Sequence, residues 1–333
     1  MADNTKIEWA DATLNYANGC SRVSPGCGGP GPHGGCYAEQ LAGTRLRNHP
    51  TRAGLTKQTP DGPRWTGDVR IHEPALEQAL RWKRGRKIFW NAHGDIFHEK
   101  VTDEQIDRLF AVCGDTPQHI HMILTKRADR MREYLFWRKR DKPITVAMGD
   151  GTLAQHPFNS ELKAPSNIWL GVSVEDQQRA DERIPDLLAT PAAVRFISAE
   201  PLLGPVDLKW SLYLDQFSGE HTAIDWVIVG GESGPRARPI HPEWVRSLRE
   251  QCLASGTPFL FKQWGEWAPR EWKADGGTHA MNWRRPESFQ KLNHHPDSIE
   301  RTTVDAEWQA FAKVGKKAAG RLLDGREWSG FPG

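Results

Sequence analysis

Short apolar runs rich in β-branched and aromatic residues alternate with amphipathic segments along most of the chain, and this alternation limits the possible folds more than any other feature. Strands are predicted at residues 14–19, 87–92, 119–125, 167–174, 194–200, 225–231 and 258–264. Helices are predicted between them, at residues 103–113, 177–188 and 241–253. Because strand–helix–strand units give parallel strands joined by right-handed crossovers, the predicted fold class is α/β. We expect a partial or complete (β/α) barrel of the TIM type in preference to an open doubly wound sheet.

Polar residues or glycines follow six successive predicted strands where each apolar run ends. They are Asn91, His93, Asp95, Thr125, Lys126, Ser173, Glu175, Ser198, Glu200, Gly230, Gly231, Glu232, Lys262 and Gln263. In parallel α/β folds the loops after the strands converge, and binding groups lie there. The sequence therefore predicts that these residues surround one pocket.

The 333 residues suffice for a large barrel with an appendage. We predict the barrel at residues 1–267, with a long Pro- and Gly-bearing insertion near 141–166 that is typical of lids or solvent-exposed excursions. Beyond residue 267 strands and helices no longer alternate in the predicted order. Residues 268–333 are predicted to form an irregular C-terminal extension packed on the barrel, with one helix near 303–322.

Charge and hydropathy exclude several classes of protein. The chain has 44 Lys and Arg against 42 Asp and Glu, so no global basic field indicates nucleic acid, although residues 81–87 and 138–140 are locally basic. No segment approaches the roughly 18 uninterrupted apolar residues of a membrane span, and the N-terminal residues lack the apolar core of a signal peptide. We expect a cytoplasmic protein without a membrane partner.

The five cysteines fall into two groups. Cys113 and Cys252 lie in helix-like segments and are predicted to be ordinary buried thiols. Cys20, Cys27 and Cys36 share one loop after the first predicted strand. Clustered thiolates in a reducing compartment usually bind a metal, so we predict metal ligation by these three residues.

Two metals remain open at this loop. With His33 the three cysteines would form a Cys3His zinc site. Alternatively, three thiolates would hold a 4Fe–4S cluster with one iron left open for a cofactor. The loop follows the first strand, where a barrel has its active site, and contains no short C-x2-C pair, and both features favour the cluster.

Ordered motifs run over nearly the whole chain. They are KIEWADATLN, CYAE, DIFHEKV, ILTKRADRM, NIWLGVSVEDQ, RADERIP, AEPLLGPVDL, DWVIVGGESGPRARP, FKQWG and KVGKKAAGRLLDGREW. In these motifs the chain resembles the phage-associated three-cysteine-motif proteins of the radical S-adenosylmethionine (SAM) superfamily, a phage protein family without an assigned substrate.

The resemblance implies a partial (β/α) barrel in which Cys20, Cys27 and Cys36 hold three irons of a 4Fe–4S cluster. The fourth iron would bind SAM, and a flavodoxin- or ferredoxin-type protein would supply the electron. It also implies a possible protein partner encoded nearby. The loop departs from the commonest superfamily pattern, C-x3-C-x2-C, because its spacing is C-x6-C-x8-C and Tyr37 follows the last cysteine. A redirected loop, or His33 as the fourth ligand, would close the iron to SAM.

Within this resemblance the strand ends are candidate SAM contacts. The predicted cofactor-binding residues are Asn91, Asp95, Ser173, Glu175, Glu200, Gly230, Gly231 and Glu232. Trp264, with Lys262 near it, is a candidate for stacking a base, and Lys126 and Lys262 are candidate substrate anchors, so the expected substrate is a nucleic acid or nucleoside. The alternative is a non-catalytic zinc- or Fe–S-stabilised module that binds nucleic acid or protein.

Overall fold

The structure, a computed structural model, describes residues 5, 7–28, 34–140, 145–147, 152–157, 164–212, 223–270, 278–282, 284–292 and 308–333. Its strands are β1 (Ala12–Leu14), β2 (Ala17–Asn18), β3 (Thr56–Thr59), β4 (Gly62–Trp65), β5 (Arg70–Ile71), β6 (Lys87–Trp90), β7 (Ile120–Thr125), β8 (Thr145–Ala147), β9 (Leu153–Gln155), β10 (Ile168–Ser173), β11 (Val194–Ala199), β12 (Trp226–Gly230), β13 (Phe259–Gln263), β14 (Trp267–Arg270), β15 (Thr278–Asn282), β16 (Arg285–Leu292) and β17 (Trp308–Lys313). Its helices are α1 (Tyr37–Gly43), α2 (Pro74–Arg81), α3 (Asp103–Asp115), α4 (Ala128–Arg140), α5 (Gln177–Ala189), α6 (Lys209–Leu212), α7 (Pro242–Ser255) and α8 (Lys316–Ala319).

The main sheet has seven strands in the order β1-β6-β7-β10-β11-β12-β13. The pairs β1–β6, β6–β7, β7–β10 and β12–β13 are parallel, and every residue of β10 and β12 is buried, as expected for a sheet covered on both faces. A doubly wound sheet reverses its strand order at a switch point, whereas this order follows the chain. The predicted α/β class with a partial (β/α) barrel is therefore confirmed.

The first predicted strand is wrong in its bounds. Residues 14–19 were expected to be one strand, but β1 ends at Leu14 and the short β2 pairs instead with β5. The side chain of Asn91 explains the break, because its Oδ1 accepts a hydrogen bond from the Ala17 backbone N–H at 2.8 Å. The other predicted strands and the three predicted helices are found within two residues of their expected ends.

Local sequence explains the long helices that follow the strands. Helix α3 begins with a capping box, in which Thr102 and Gln105 bond each other's backbone N–H groups. Helix α7 has a proline in its first turn and ends at Gly256, whose φ of 75° suits glycine. Both buried thiols lie on these helices, and burial raises the pKa of Cys252 to about 12 and that of Cys113 well above its ordinary value. They are therefore core residues, as predicted.

The C-terminal region differs from the expectation of irregular structure with one helix near 303–322. Its described residues form a four-stranded antiparallel sheet in the order β14-β17-β15-β16. Of its described residues, 308–313 are strand β17 and Lys316–Ala319 are helical, so the predicted helix is wrong at 308–313, and residues 303–307 lie outside the described part of the chain. Pairing of β17 with both β14 and β15 supplies backbone partners on two sides and overrides the helical spacing of its apolar residues.

Part of the predicted insertion at 141–166 lies outside the described residues. The described part includes the hairpin β8–β9, whose Val146 and Ala154 pack against Ala111 of α3. No helix among the described residues is both long and apolar enough to traverse a bilayer. The cytoplasmic location stays a prediction.

The chain divides into two compact units. Unit 1 comprises Met1–Ser24, Cys36–Ser173 and Arg183–Phe196, and unit 2 comprises Pro25–Gly35, Val174–Glu182 and Ile197–Gly333. The division at residue 267 stays a prediction. Cys20 and Cys36 belong to unit 1, and Cys27 belongs to unit 2.

Candidate functional site

The predicted site residues are shared between the two units. Unit 1 contains Cys20, Cys36, Asn91, Asp95, Lys126 and Ser173. Unit 2 contains Cys27, Glu175, Glu200, Gly230, Gly231, Glu232, Lys262 and Trp264. His33, the alternative fourth ligand, lies outside the described residues.

In unit 1, Asp95 is a buried acceptor that joins the end of β6 to the end of β7. Its carboxylate accepts hydrogen bonds from the Thr125 hydroxyl at 2.8 and 2.9 Å, from the Phe97 N–H at 3.0 Å and from the Lys126 N–H at 3.2 Å. Asp95 is only 5% exposed. Most of its acceptor capacity is therefore used inside the protein.

Arg127 completes this network and carries it to the cysteine loop. Its Nη1 lies 3.1 Å from Asp95 Oδ2 and 3.7 Å from Cys20 Sγ, and its Nη2 donates to Ser21 Oγ at 2.7 Å. Its Nε donates to Glu99 at 3.2 Å. Burial opposes its charge, but Asp95, Cys20 and Glu99 raise the pKa of Arg127 above its ordinary value. We call Arg127, Asp95 and Cys20 the Arg127 network.

Sequence analysis missed Arg127 and selected its neighbour Lys126. Both follow β7, and the spacing alone does not show which side chain turns inward. In the structure Lys126 is partly exposed, whereas Arg127 is buried, with 8% of its surface exposed. The buried acid at the end of the neighbouring strand was the available signal, because a buried carboxylate needs a cation or several donors.

Helix α1, which directly follows Cys36, is also in contact with the cysteine loop of unit 1. Cys20 and Cys36 both pack against one apolar cluster formed by Ala38, Ala42, Leu55 and Trp65. Glu39, which is fully buried, accepts hydrogen bonds from Arg22 and from the Trp65 N–H at 2.8 Å. Glu39 thus ties the helix that follows Cys36 to the segment that follows Cys20.

Asn91 combines a rare backbone conformation with an unused donor. Its φ is 60°, a left-handed value, and its side chain is buried. Oδ1 is bonded to Ala17, but Nδ2 has no hydrogen-bond partner among the described residues. A buried, unpaired amide N–H2 is costly, so Asn91 is suited to donate to a bound ligand.

Ser173, the last predicted site residue of unit 1, ends β10. Its carbonyl oxygen accepts a hydrogen bond from Arg183 at 2.8 Å, and the residue is only 4% exposed. The backbone of Ser173 is therefore fixed by α5.

In unit 2, the cysteine loop has a tight packing contact at Gly26. Pro25–Cys27 form a 3-10 turn, and a Cβ on Gly26 would lie 2.3 Å from Glu175 Oε1. Glu175 is fully buried. Because only hydrogen fits at this position, Glu175 and Gly26 together fix the backbone beside Cys27.

A second carboxylate of unit 2, Glu232, pairs with Arg238, and the two residues together bond Pro25 and Gly35 on either side of residues 29–33. Arg238 donates to Glu232 through its backbone N–H at 2.8 Å and through Nε at 2.9 Å, and the two side chains form an ion pair. Arg238 Nη2 also donates to the Pro25 carbonyl at 3.0 Å, and the Gly35 N–H lies 3.4 Å from Glu232 Oε1. We call Glu232 and Arg238 the loop clamp.

The remaining predicted residues of unit 2 are largely engaged with each other. Lys262 Nζ lies 2.6 Å from Glu200 Oε1, and a Cβ on Gly230 would lie 3.1 Å from the same oxygen. A Cβ on Gly231 would lie 2.0 Å from the Trp264 carbonyl. Gly231 is therefore required by close backbone packing.

Trp264 is a core residue in this structure. It is 5% exposed, and its indole N–H donates to the Leu322 carbonyl at 2.9 Å. Its ring packs edge-on against Phe261 at a centroid distance of 4.8 Å. Little of its ring surface can be offered to a base.

The cysteines are all free thiols. Among the described residues no three His, Cys, Asp or Glu side chains are gathered closely enough to hold one metal ion. A four-iron cluster spaces its ligand sulfurs more widely than a single ion does. In unit 1, Cys20 and Cys36 offer thiol donors of the type that iron–sulfur clusters take, and Arg127 donates to the Cys20 sulfur.

A sequence model of the family described as "Protein of unknown function (DUF5131)" matches residues 4–332 of this chain. A search of curated proteins gave no match.

Solved structures of spore photoproduct lyase match part of the fold. The lyase complexed with dinucleoside spore photoproduct gives a TM-score of 0.38 at 12% identity, covering 90% of this chain and 73% of that chain. A cysteine-to-serine mutant gives 0.37 at 10% identity, covering 90% and 74%, and a tyrosine-to-phenylalanine mutant gives 0.38 at 12%, covering 90% and 73%. Likeness at this level carries no inference about this chain.

Proposed function

The chain belongs to the family described as protein of unknown function (DUF5131), and from its residues we propose that it is a radical SAM enzyme. Cys20, Cys27 and Cys36 would hold three irons of a 4Fe–4S cluster. Placement among the phage-associated three-cysteine-motif proteins is part of the same proposal and is supported by the ordered motifs of the sequence.

The observation that carries the proposal is the environment of Cys20. Cys20 and Cys36 pack on the same apolar cluster, and Arg127 donates a hydrogen bond to the Cys20 sulfur. A neighbouring guanidinium favours the thiolate, which is the form that binds metal. Hydrogen bonds to ligand sulfurs and the surrounding burial also set the reduction potential of a cluster.

When bound, the reduced cluster would supply the electron that cleaves a carbon–sulfur bond of SAM and so starts hydrogen abstraction from a substrate. The chain's own residues would orient the thiolates and exclude water. Arg127 would hold the Cys20 side chain, and Glu175 with Gly26 would fix the backbone beside Cys27. A flavodoxin- or ferredoxin-type electron donor is part of this proposal.

The proposed SAM-binding residues differ in whether their hydrogen-bonding groups are already used within the protein. The set is Asn91, Asp95, Ser173, Glu175, Glu200, Gly230, Gly231 and Glu232. Asn91 keeps an unpaired buried N–H2 group, which supports a direct contact. Asp95 and Glu232 are already bonded to arginines, so we assign them to positioning the loop.

The proposed substrate is a nucleic acid or nucleoside. Lys126 is partly exposed and supports a direct contact. Lys262 is paired with Glu200 and Trp264 is buried, so both would reach a substrate only after a rearrangement. A protein partner encoded nearby is a further part of the proposal.

The test is anaerobic reconstitution of the full chain with iron and sulfide, followed by reduction and incubation with SAM. We expect formation of 5′-deoxyadenosine and methionine without added substrate. The triple variant with Cys20, Cys27 and Cys36 replaced by alanine should lose both the cluster absorbance and SAM cleavage. Cys252→Ala is the matched control, because Cys252 is a buried core thiol.

SAM cleavage that survives the triple substitution would refute the ligand assignment. Tight binding of one zinc ion per chain without SAM binding would instead support the alternative, a metal-stabilised binding module. The two outcomes are distinguished by metal analysis of the same protein sample.

A further inference from the structure

Arg52 is a buried arginine whose bonded partners are all neutral. It is 5% exposed, its Nη1 donates to Thr51 Oγ1 at 2.6 Å, and its Nη2 lies 2.7 Å from His93 Nδ1. Its Nε has no hydrogen-bond partner, and no carboxylate forms an ion pair with it among the described residues. A buried guanidinium without a counter-charge is expensive, so this part of unit 1 is incomplete without an anion.

The surroundings of Arg52 add positive charge. Arg70 donates to the carbonyls of Pro50 and Ala53, at 2.7 and 2.8 Å, and so supports the same turn that carries Arg52. Burial lowers the pKa of Arg52 to about 10, and the charge of Arg70 contributes in the same direction. No carboxylate is among the charged groups that act on Arg52, whereas Arg70 repels its charge, and this arrangement favours a multiply charged anion over a neutral ligand.

His93 supplies a third donor. Burial and the charge of Arg52 lower the pKa of His93 to about 4, so the ring is neutral at neutral pH. Because Nδ1 accepts from the guanidinium, the ring proton is assigned to Nε2, which can donate to a ligand. The ring of Tyr37 meets His93 edge-on at 5.9 Å and is 52% exposed, so this group of residues reaches the surface of unit 1.

We propose that Arg52 and His93 form a phosphate-binding site, with Tyr37 beside it as a ring on which a nucleotide base can stack. A guanidinium binds phosphate oxygens through parallel N–H hydrogen bonds. The buried Nε–H of Arg52 has no hydrogen-bond partner, and Nη2, which carries two N–H groups, bonds His93 with one of them. Aromatic rings beside cations are the usual means of holding single nucleotides or single strands. The inference depends on neither the cluster nor SAM.

The test uses the purified full chain without added metal or SAM. Inorganic phosphate, a nucleoside monophosphate and a short single-stranded oligonucleotide are titrated by calorimetry, with acetate and methionine as carboxylate probes. We expect the phosphate probes to bind and Arg52→Gln to weaken that binding about tenfold to a hundredfold. Arg81→Gln is the matched control, because it removes an exposed charge of the same unit.

A second readout guards against a folding defect in the variant. The nitrogen-15 NMR resonance of the Arg52 Nε is identified as the arginine signal that disappears in the Arg52→Lys variant. In the wild-type protein this resonance should shift when phosphate is added. Equal affinity for the nucleotide and the oligonucleotide would identify a free nucleotide as the ligand, and tighter oligonucleotide binding would identify a strand. The proposal is overturned if no phosphate probe binds, if Arg52→Gln binds as well as wild type, or if acetate or methionine binds better than phosphate.

Discussion

The Arg127 network and the loop clamp both hold part of the cysteine loop through a carboxylate–arginine pair, but they hold different groups. In each, a carboxylate after a strand of the main sheet pairs with an arginine, and the arginine also touches the cysteine loop. Arg127 reaches a sulfur, and its side chain is 9% exposed. Among the described loop residues, Arg238 donates to a backbone carbonyl, that of Pro25, and lies against Gly34; its side chain is 22% exposed.

The difference separates two roles for an acid at a strand end. Asp95 fixes a cation against a potential metal ligand, so a change there alters the chemistry of Cys20 as well as stability. Glu232 fixes the path of the loop backbone, so a change there alters the loop's shape first.

The largest effect is expected for Arg127→Ala. The substitution leaves the Asp95 carboxylate buried without its cation, and breaking a buried pair in this way costs about 3–5 kcal/mol. Urea unfolding of the protein without metal measures the loss. Arg108→Ala is the control, because its partner Glu73 is partly exposed and an exposed pair contributes about 1 kcal/mol or less. Equal losses in the two variants would remove the distinction between the network and an ordinary surface pair.

Gly26→Ala tests the packing contact between the cysteine loop and Glu175 in unit 2. Its Cβ would collide with the fully buried Glu175 carboxylate at 2.3 Å, and overpacking of this kind costs about 1–3 kcal/mol. Gly204→Ala is the matched control, because its Cβ would meet its nearest neighbour at an ordinary 3.7 Å. The two free energies of unfolding should differ, and a destabilisation of Gly204→Ala as large as that of Gly26→Ala would contradict the proposed contact.

The same two regions show what the sequence could predict and why. The positions of Asp95 and Glu232 follow from the apolar runs before them, because burial on both sheet faces makes strand ends easy to locate. Their partners Arg127 and Arg238 depend on which way a side chain turns after the strand, and local spacing does not determine that. The error at residues 308–313 has the same origin, since pairing with β14 and β15 is decided by distant segments.

Arg238→Ala should have a moderate effect that is confined to the loop. The clamp is partly open to solvent, so we expect a loss of about 1–2 kcal/mol, mainly from the hydrogen bonds to Glu232 and Pro25. Hydrogen exchange at the Gly34 and Gly35 amides should become faster, because the Arg238 side chain covers Gly34 and the clamp holds Gly35. Exchange in β7, which precedes Arg127, should not change. Faster exchange in β7 would show that the clamp stabilises more than the loop.

The smallest effect concerns pH and the Arg127 network. His98 Nε2 lies 3.0 Å from the Ser21 hydroxyl, and burial, followed by the charge of Arg127, lowers the pKa of His98 from its ordinary 6.5. A histidine with a depressed folded-state pKa takes up a proton more readily when the chain is unfolded. Its stabilising contribution is therefore complete above pH 6.5 and decreases as the pH falls through the folded-state pKa.

The measurement is the urea midpoint between about pH 8 and pH 5, compared for wild type and His98→Gln. Glutamine does not titrate, so the wild type should lose more stability than the variant over this range. Arg127→Ala should shrink that difference, because the guanidinium is one of the charges that keep His98 neutral. If the difference persisted without Arg127, burial and the charge of Lys100 would account for the low pKa of His98, and the charge of Arg127 would have no measurable effect on that pKa.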